Sequence, residues 1–202
     1  MRKTLFIAIV LMLALTLNAC GNSNVKSNTI VNAELTDRET GILSTTSSQS
    51  FVFDFNIENE YKKASVWIEK YEFGKLIEER IGYLTAEIEN NGSIILAIIE
   101  PSTSEKQAFF KLGINSNGVT SSSTIVDVVS TKGTENSSIV WGNLSEKMDI
   151  TNDQLILASI GFSWDEGSMV SFTTDFYKEA EPRISELENH EIVYLLKGEF
   201  TK

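Results

Sequence analysis

The sequence predicts an all-β fold, an antiparallel β-sandwich built from many short strands. Apolar and polar residues alternate with period two in segments that recur every ~8 to 14 residues, separated by Gly, Asn, Asp and Ser. The sequence contains no sustained amphipathic helical pattern, so we expect at most a short helix near residues 179–189.

The first strands follow from this alternation. One strand is expected near residues 31–35, and the next spans residues 51–57, where four apolar residues alternate with Val52, Asp54 and Asn56. Because successive side chains of a strand point to opposite faces, this pattern indicates one buried face and one solvent-exposed face.

Two hairpins are predicted. The first joins residues 64–73 to residues 76–89, because Gly74 can adopt the positive φ of a tight turn. Gly82 marks a bulge or bend in its second strand. The second hairpin spans residues 155–177, where the alternation resumes on both sides of an Asp-Glu-Gly turn.

The other predicted strands are residues 93–99, 107–114, 119–129, 138–141 and 191–200. The large side chains expected in the core are Phe53, Phe55, Leu96, Ile98, Ile160 and Phe172. A sandwich with this strand spacing resembles the immunoglobulin-like class in architecture.

The amino terminus has the pattern of a secretory signal. Arg2 and Lys3 precede an apolar run at residues 5–17, and the small residue Ala19 follows it. The apolar run is too short to span a bilayer as a helix.

The end of this signal resembles the lipobox of bacterial lipoproteins, an aliphatic residue and two mostly small residues before a cysteine. Leu17, Ala19 and Cys20 match it, and Asn18 departs from it at a tolerant position. The resemblance implies diacylglycerol on the Cys20 sulfur, cleavage before Cys20, and attachment to the outer face of the cell membrane. The alternative is an ordinary signal peptide followed by an unrelated cysteine.

We therefore predict three segments. Residues 1–19 form the signal peptide, residues 20–30 form a polar, lipid-anchored tether, and residues 31–202 form a single β-sandwich domain.

Composition excludes some classes of function. The 202-residue chain has a net charge of −11, and removal of Arg2 and Lys3 with the signal makes the mature part more negative still. An acidic domain without a basic cluster repels nucleic acid, so no nucleic-acid partner is expected. Cys20 is the only cysteine, so the domain must be stable without disulfides. No cofactor or metal is expected.

The candidate ligand-binding residues are Trp67, Tyr71 and Phe73. They share one face of their predicted strand, while Val66 and Ile68 share the other. The aromatic face is either buried in a central strand or exposed to bind sugar rings or a partner protein.

Other polar residues have simpler interpretations. His190 has no recognisable nucleophile beside it and is expected to be an exposed or capping residue. The acidic loops at 149–153 and 165–167 lack the calcium-binding pattern and are expected to be solvated turns. A final group of carboxylates is expected on the solvent side of the first hairpin: Glu69, Glu72, Glu78, Glu79, Glu87 and Glu89.

The sequence thus predicts a non-catalytic binding or interaction module anchored in the cell envelope. Its partner would be a protein or a neutral glycan. The alternatives are an accessory or immunity-type lipoprotein that blocks or escorts one protein, and an envelope glycan hydrolase that uses paired carboxylates.

Overall fold

The computed structural model describes residues 28–58, 60–99, 107–128, 138–163, 170–179 and 181–202. These residues form an antiparallel β-sandwich, as the sequence predicts. The predicted signal peptide, Cys20, most of the tether and the turn at 165–167 lie outside the described residues. Within the described ranges, no helix has the length and apolar character required to cross a membrane.

The strands are β1 (Thr29–Asn32), β2 (Gln49–Asn56), β3 (Lys63–Glu72), β4 (Lys75–Glu87), β5 (Asn91–Ile99), β6 (Gln107–Ser116), β7 (Val119–Val128), β8 (Ser138–Asn143), β9 (Met148–Asp149), β10 (Leu155–Ser163) and β11 (Ile192–Thr201). The helical segments are α1 (Asp37–Thr46), a 3₁₀ helix (Thr174–Lys178) and α2 (Ile184–Leu187). Sheet A has the strand order β7-β6-β5-β2-β1-β9, and sheet B has the order β4-β3-β11-β10-β8.

The core lies between the two sheets. Five of the six predicted core residues are buried: Phe53, Phe55, Leu96, Ile98 and Ile160. The ring centroids of Phe55 in sheet A and Phe200 in sheet B are 5.3 Å apart. The sixth, Phe172, is partly buried but lies outside any strand, and its ring packs on Phe176 and His190 and not between the sheets.

The start of the domain differs from the prediction. β1 begins at Thr29, so Thr29 and Ile30 belong to the sandwich rather than to the tether. Helix α1 was not predicted at all. It begins with a capping box, in which Thr36 Oγ1 accepts from the backbone N–H of Glu39 and the Glu39 carboxylate accepts from the backbone N–H of Thr36.

The predicted second hairpin is wrong in its second half. β10 already pairs with β8 on one side and β11 on the other, so no free edge remains for another strand. Residues 170–173 are instead irregular and lead into the 3₁₀ helix. Residues 170–179 and 181–190 pack onto the face of sheet B that points away from sheet A, which we call the outward face.

The predicted first hairpin is confirmed. β3 and β4 pair in antiparallel register and are joined by a two-residue turn, Phe73–Gly74. Gly82 adopts a φ of +65° beside an irregularity in this register, as the predicted bend requires. A Cβ at Gly82 would overlap the Ile125 side chain, so only glycine allows β4 to pass this close to β7.

The two ends of the sandwich are chemically distinct. The chain enters at the end where Thr29 pairs with Asn56, and the Asn28 side chain is hydrogen-bonded there to the backbone N–H of Glu58 and to Glu60. We call this end the tether pole. β3 starts there and runs for 10 residues, about 30 Å at the usual rise, to the Phe73–Gly74 turn at the distal pole.

Candidate functional site

The structure separates the three candidate ligand-binding residues. Trp67 is fully buried, Tyr71 is 5% exposed and Phe73 is 65% exposed. A buried ring cannot stack on a ligand. Of the two alternatives for this face, burial in a central strand therefore holds for Trp67 and Tyr71, and the exposed binding surface is wrong for them. Phe73 alone is accessible for binding.

Trp67 and Tyr71 belong to a buried polar cluster on the outward face of sheet B. The Tyr71 hydroxyl donates to Glu69 Oε2 at 2.7 Å, and Trp67 Nε1 donates to Glu69 Oε1 at 3.4 Å. Lys197 Nζ lies 3.5 Å from the same Oε1. Burial, together with the hydrogen bond to Glu69, raises the pKa of Tyr71, so its hydroxyl remains a donor. The sequence predicts Glu69 on the solvent side of the hairpin. This prediction is wrong, because Glu69 is buried.

The side chains of β4 cover part of this cluster. The Arg80 guanidinium lies 5.0 Å from the centroid of the Trp67 ring and 5.2 Å from that of Tyr83. The two ring centroids are 5.9 Å apart. In this cation–π arrangement, Arg80 shields Trp67 from solvent. We therefore assign Trp67 a structural role.

Residues 170–179 and 181–190 cover another part of the outward face. Tyr177 and Ser159 share a hydroxyl–hydroxyl hydrogen bond of 2.6 Å, and burial raises the pKa of Tyr177 to about 12. The ring centroids of His190 and Phe172 are 5.0 Å apart.

His190 is buried, which contradicts the expectation of an exposed or capping residue. Its Nδ1 has no hydrogen-bond partner in the part of the chain that the structure describes. Burial lowers the pKa of His190. Among the described residues, no hydroxyl or thiol is bonded to Nδ1, so this nitrogen has no nucleophile to activate.

A second buried polar cluster joins the two sheets. Lys70 Nζ on β3 lies 2.8 Å from Asp127 Oδ2 on β7, and the Tyr194 hydroxyl donates to the same oxygen at 2.6 Å. Burial, reinforced by this bond to Asp127, raises the pKa of Tyr194. Lys70, Asp127 and Tyr194 thus form a structural link between the sheets.

Phe73 occupies an unfavourable position in the distal turn. Its φ is +48° and that of Gly74 is +75°, as in the type I′ turns that suit hairpins. Glycine or asparagine is usual in such turns, and a bulky residue at positive φ is an outlier that costs of order 1–3 kcal/mol. The backbone N–H of Phe73 donates to the Glu191 carbonyl at 3.0 Å, which fixes the turn against the start of β11.

Exposed aliphatic side chains lie near the turn. Leu76 and Ile77 follow it on β4, and each is about half exposed. Ile184 of α2 is also about half exposed, and a Cβ on Gly74 would lie 3.3 Å from Ile184 Cγ2. We call Phe73, Leu76, Ile77 and Ile184 the distal patch.

Several carboxylates lie near the distal patch. Glu79 and Glu181 lie close enough to Tyr71 to raise its pKa further, and Glu188 packs beside Gly74. Glu72 pairs with Lys75 across the turn, and Glu78 pairs with Lys70 in the β3–β4 register. These carboxylates form an acidic rim: Glu72, Glu78, Glu79, Glu181 and Glu188.

The remaining candidate sites are the two acidic loops. In the loop at 149–153, the Thr151 hydroxyl accepts from the backbone N–H of Asp153 and donates to its carboxylate, a local turn. No group of three or more His, Cys, Asp or Glu residues in the described ranges is arranged to hold a metal ion. The second candidate loop, 165–167, lies outside those ranges.

Comparison with known families gives a match over most of the chain. A family described as the YgaN domain matches residues 29–200. The chain belongs to the YgaN domain family. The matched range begins with the first residue of β1 and ends within β11, so the YgaN domain is the sandwich itself. Neither a search of curated proteins nor a search of solved structures found a match.

Proposed function

We propose that this YgaN-domain protein is a lipid-anchored, non-catalytic binding module that uses its distal patch to hold a protein partner outside the cell membrane. The single observation that carries this proposal is Phe73, an aromatic ring held at positive φ and left 65% exposed.

Phe73 is unfavourable for folding in two respects. The turn would be less strained with asparagine or glycine at this position, and the exposed ring recovers little of the free energy that burial would provide. A protein partner that covered the ring would recover it. Exposed, partner-binding aromatic residues are typical of the centres of protein interfaces.

The acidic rim specifies the chemistry of the partner. Several carboxylates surround an apolar centre, with Lys75 as the cation closest in sequence to the turn. A partner with an apolar contact area edged by Lys and Arg would therefore be steered to this surface, whereas an anionic wall polymer would be repelled.

The position of the patch suits an anchored protein. Asn28, eight residues after Cys20, enters the domain at the tether pole. The distal patch lies at the opposite end of β3, about 30 Å away by strand rise. An anchor at Cys20 would thus leave the distal patch free to meet a partner beyond the membrane surface.

The anchor is tested by labelling. In the wild type, labelled fatty acid should enter the protein at Cys20, and the protein should remain in the membrane fraction. Cys20→Ser should abolish the label and release the protein or leave an uncleaved precursor. Normal processing of the variant, or an unlabelled wild type, would contradict the anchor.

Partner binding is tested by site-specific crosslinking. A photoreactive residue at Ile77 in the full chain should crosslink to one protein in the native envelope, and the yield should fall as salt screens the acidic rim. The same residue at Val119, which is 68% exposed and begins β7, is the matched control and should give no such adduct. Equal crosslinking from both positions would contradict the proposal.

A further inference from the structure

A polar cleft of about 620 Å³ lies at the tether pole, far from the distal patch. It crosses the face of sheet A that points away from sheet B. β1, β2, β5 and β6 contribute to its walls, together with Lys147 and the turn after β6. Its volume is within the range of ~300–1,000 Å³ that is usual for small-molecule sites.

One wall of the cleft is a row of hydrogen-bonded side chains. Asp54, Ser93 and Asn115 line the cleft on β2, β5 and β6, and Thr120 on β7 continues the row outside the lining. Ser93 Oγ donates to Asp54 Oδ1 at 2.7 Å, and Asn115 Nδ2 donates to Thr120 Oγ1 at 2.7 Å. These two bonds hold the Asp54 carboxylate and the Asn115 amide in place and do not use Asp54 Oδ2 or Asn115 Oδ1.

A second row stands closer to the pole. Asn56 and Asn91 are directly opposite each other on β2 and β5, and both side chains are exposed. Asn117 in the next turn donates through Nδ2 to Glu89 Oε2 at 3.0 Å, which leaves its amide oxygen out of that bond. Each amide offers a donor and an acceptor side by side, and all three residues line the cleft.

The charge in the cleft is balanced, in contrast to the rest of this acidic protein. Among the lining residues that the structure describes, Asp54 is the only carboxylate and Lys147 is the only ammonium group. Amides and hydroxyls dominate the remaining polar groups. Such a lining satisfies a ligand rich in hydroxyl or amide groups and without net charge, because neither partner is left with an unpaired charge.

We infer that this cleft binds a neutral glycan. The inference is independent of the distal patch, because it depends on other strands at the opposite pole. A protein anchored through Cys20 would hold the cleft on the side facing its own envelope, so an envelope polysaccharide is the natural source of such a ligand.

The test is a titration of the full chain, ¹⁵N-labelled and purified from its own cells, followed by the side-chain amide signals of asparagine. The probes are three neutral tetrasaccharides: chitotetraose, cellotetraose and maltotetraose. At least one should produce saturable shifts at Asn56, Asn91, Asn115 and Asn117. Asn91→Ala should weaken that binding by about tenfold, as expected for a lost hydrogen-bonding pair.

Asn189→Ala is the matched control. Asn189 is an exposed asparagine just after α2, outside the cleft lining, and its loss should leave the affinity unchanged. The inference is overturned if none of the three glycans produces saturable shifts, or if Asn91→Ala binds as tightly as the wild type. Neither result would affect crosslinking at Ile77, so the two proposals fail separately.

Discussion

Tyr71 and Phe73 lie two residues apart, yet Tyr71 is 5% exposed and Phe73 is 65% exposed. Alternation along a strand would place both rings on the same face. Tyr71 is still within β3 and is buried with Glu69, whereas β3 ends at Glu72 and Phe73 already has the positive φ of the turn. Because the strand ends between them, Tyr71 is a buried structural residue and Phe73 is an exposed candidate binding residue.

The buried position of Trp67 predicts a large effect on stability. Trp67→Ala should lower the free energy of unfolding by about 3–5 kcal/mol, because it leaves a cavity and removes the ring beneath Arg80. Denaturant unfolding of the purified protein measures this change. Phe73→Ala is the comparison and should cost less than about 0.5 kcal/mol, since its ring is exposed. Equal losses in the two variants would contradict the burial pattern.

The link between the sheets predicts an energetic coupling. Lys70→Met and Asp127→Asn should each cost about 2–4 kcal/mol, somewhat below the range for a fully buried pair because the Asp127 side chain is 17% exposed. The double variant should lose less stability than the sum of the two single losses, because the first change already breaks the contact that the second would break. Additive effects in a double-mutant cycle would show that this 2.8 Å contact does not stabilise the fold.

His190 predicts a pH dependence. Because burial lowers its native pKa, the unfolded chain binds an additional proton once the pH falls below about 6.5, the usual value for histidine. Wild-type stability should therefore decline relative to His190→Gln as the pH falls from about 7 towards 5. The difference between the two unfolding free energies measures the contribution of His190 separately from the carboxylates. Parallel curves would contradict a buried, neutral His190.

Alternation of apolar and polar residues was sufficient to predict most of the strands. One segment with the same alternation, residues 170–176, is not a strand. Phe172 and Phe176 alternate as in a strand, but both edges of β10 are occupied, so this segment became a covering layer with a 3₁₀ helix. Helix α1 has no buried residue and thus no apolar stripe to detect. Its Thr36-x-x-Glu39 capping box was the signal that could have revealed it.

The candidate site was only partly predictable for a related reason. The turn at Gly74 follows from local chemistry, whereas the burial of Trp67 and Tyr71 depends on side chains brought together from distant parts of the chain, such as Lys197. Ile184 joins the distal patch by the same kind of long-range contact. Alternation within one strand contains no information about such contacts.

The central claim is that Phe73 is present for binding and not for folding. Phe73→Asn tests it most directly when the melting temperature and the crosslinking yield at Ile77 are measured on the same preparation. Asparagine suits the positive φ of the turn, so the melting temperature should stay the same or rise by up to about 4 °C, while the partner adduct is lost. Val119→Asn, the control at another exposed apolar residue, should leave the adduct intact. An adduct that persists in Phe73→Asn, or a clear fall in its melting temperature, would contradict the account.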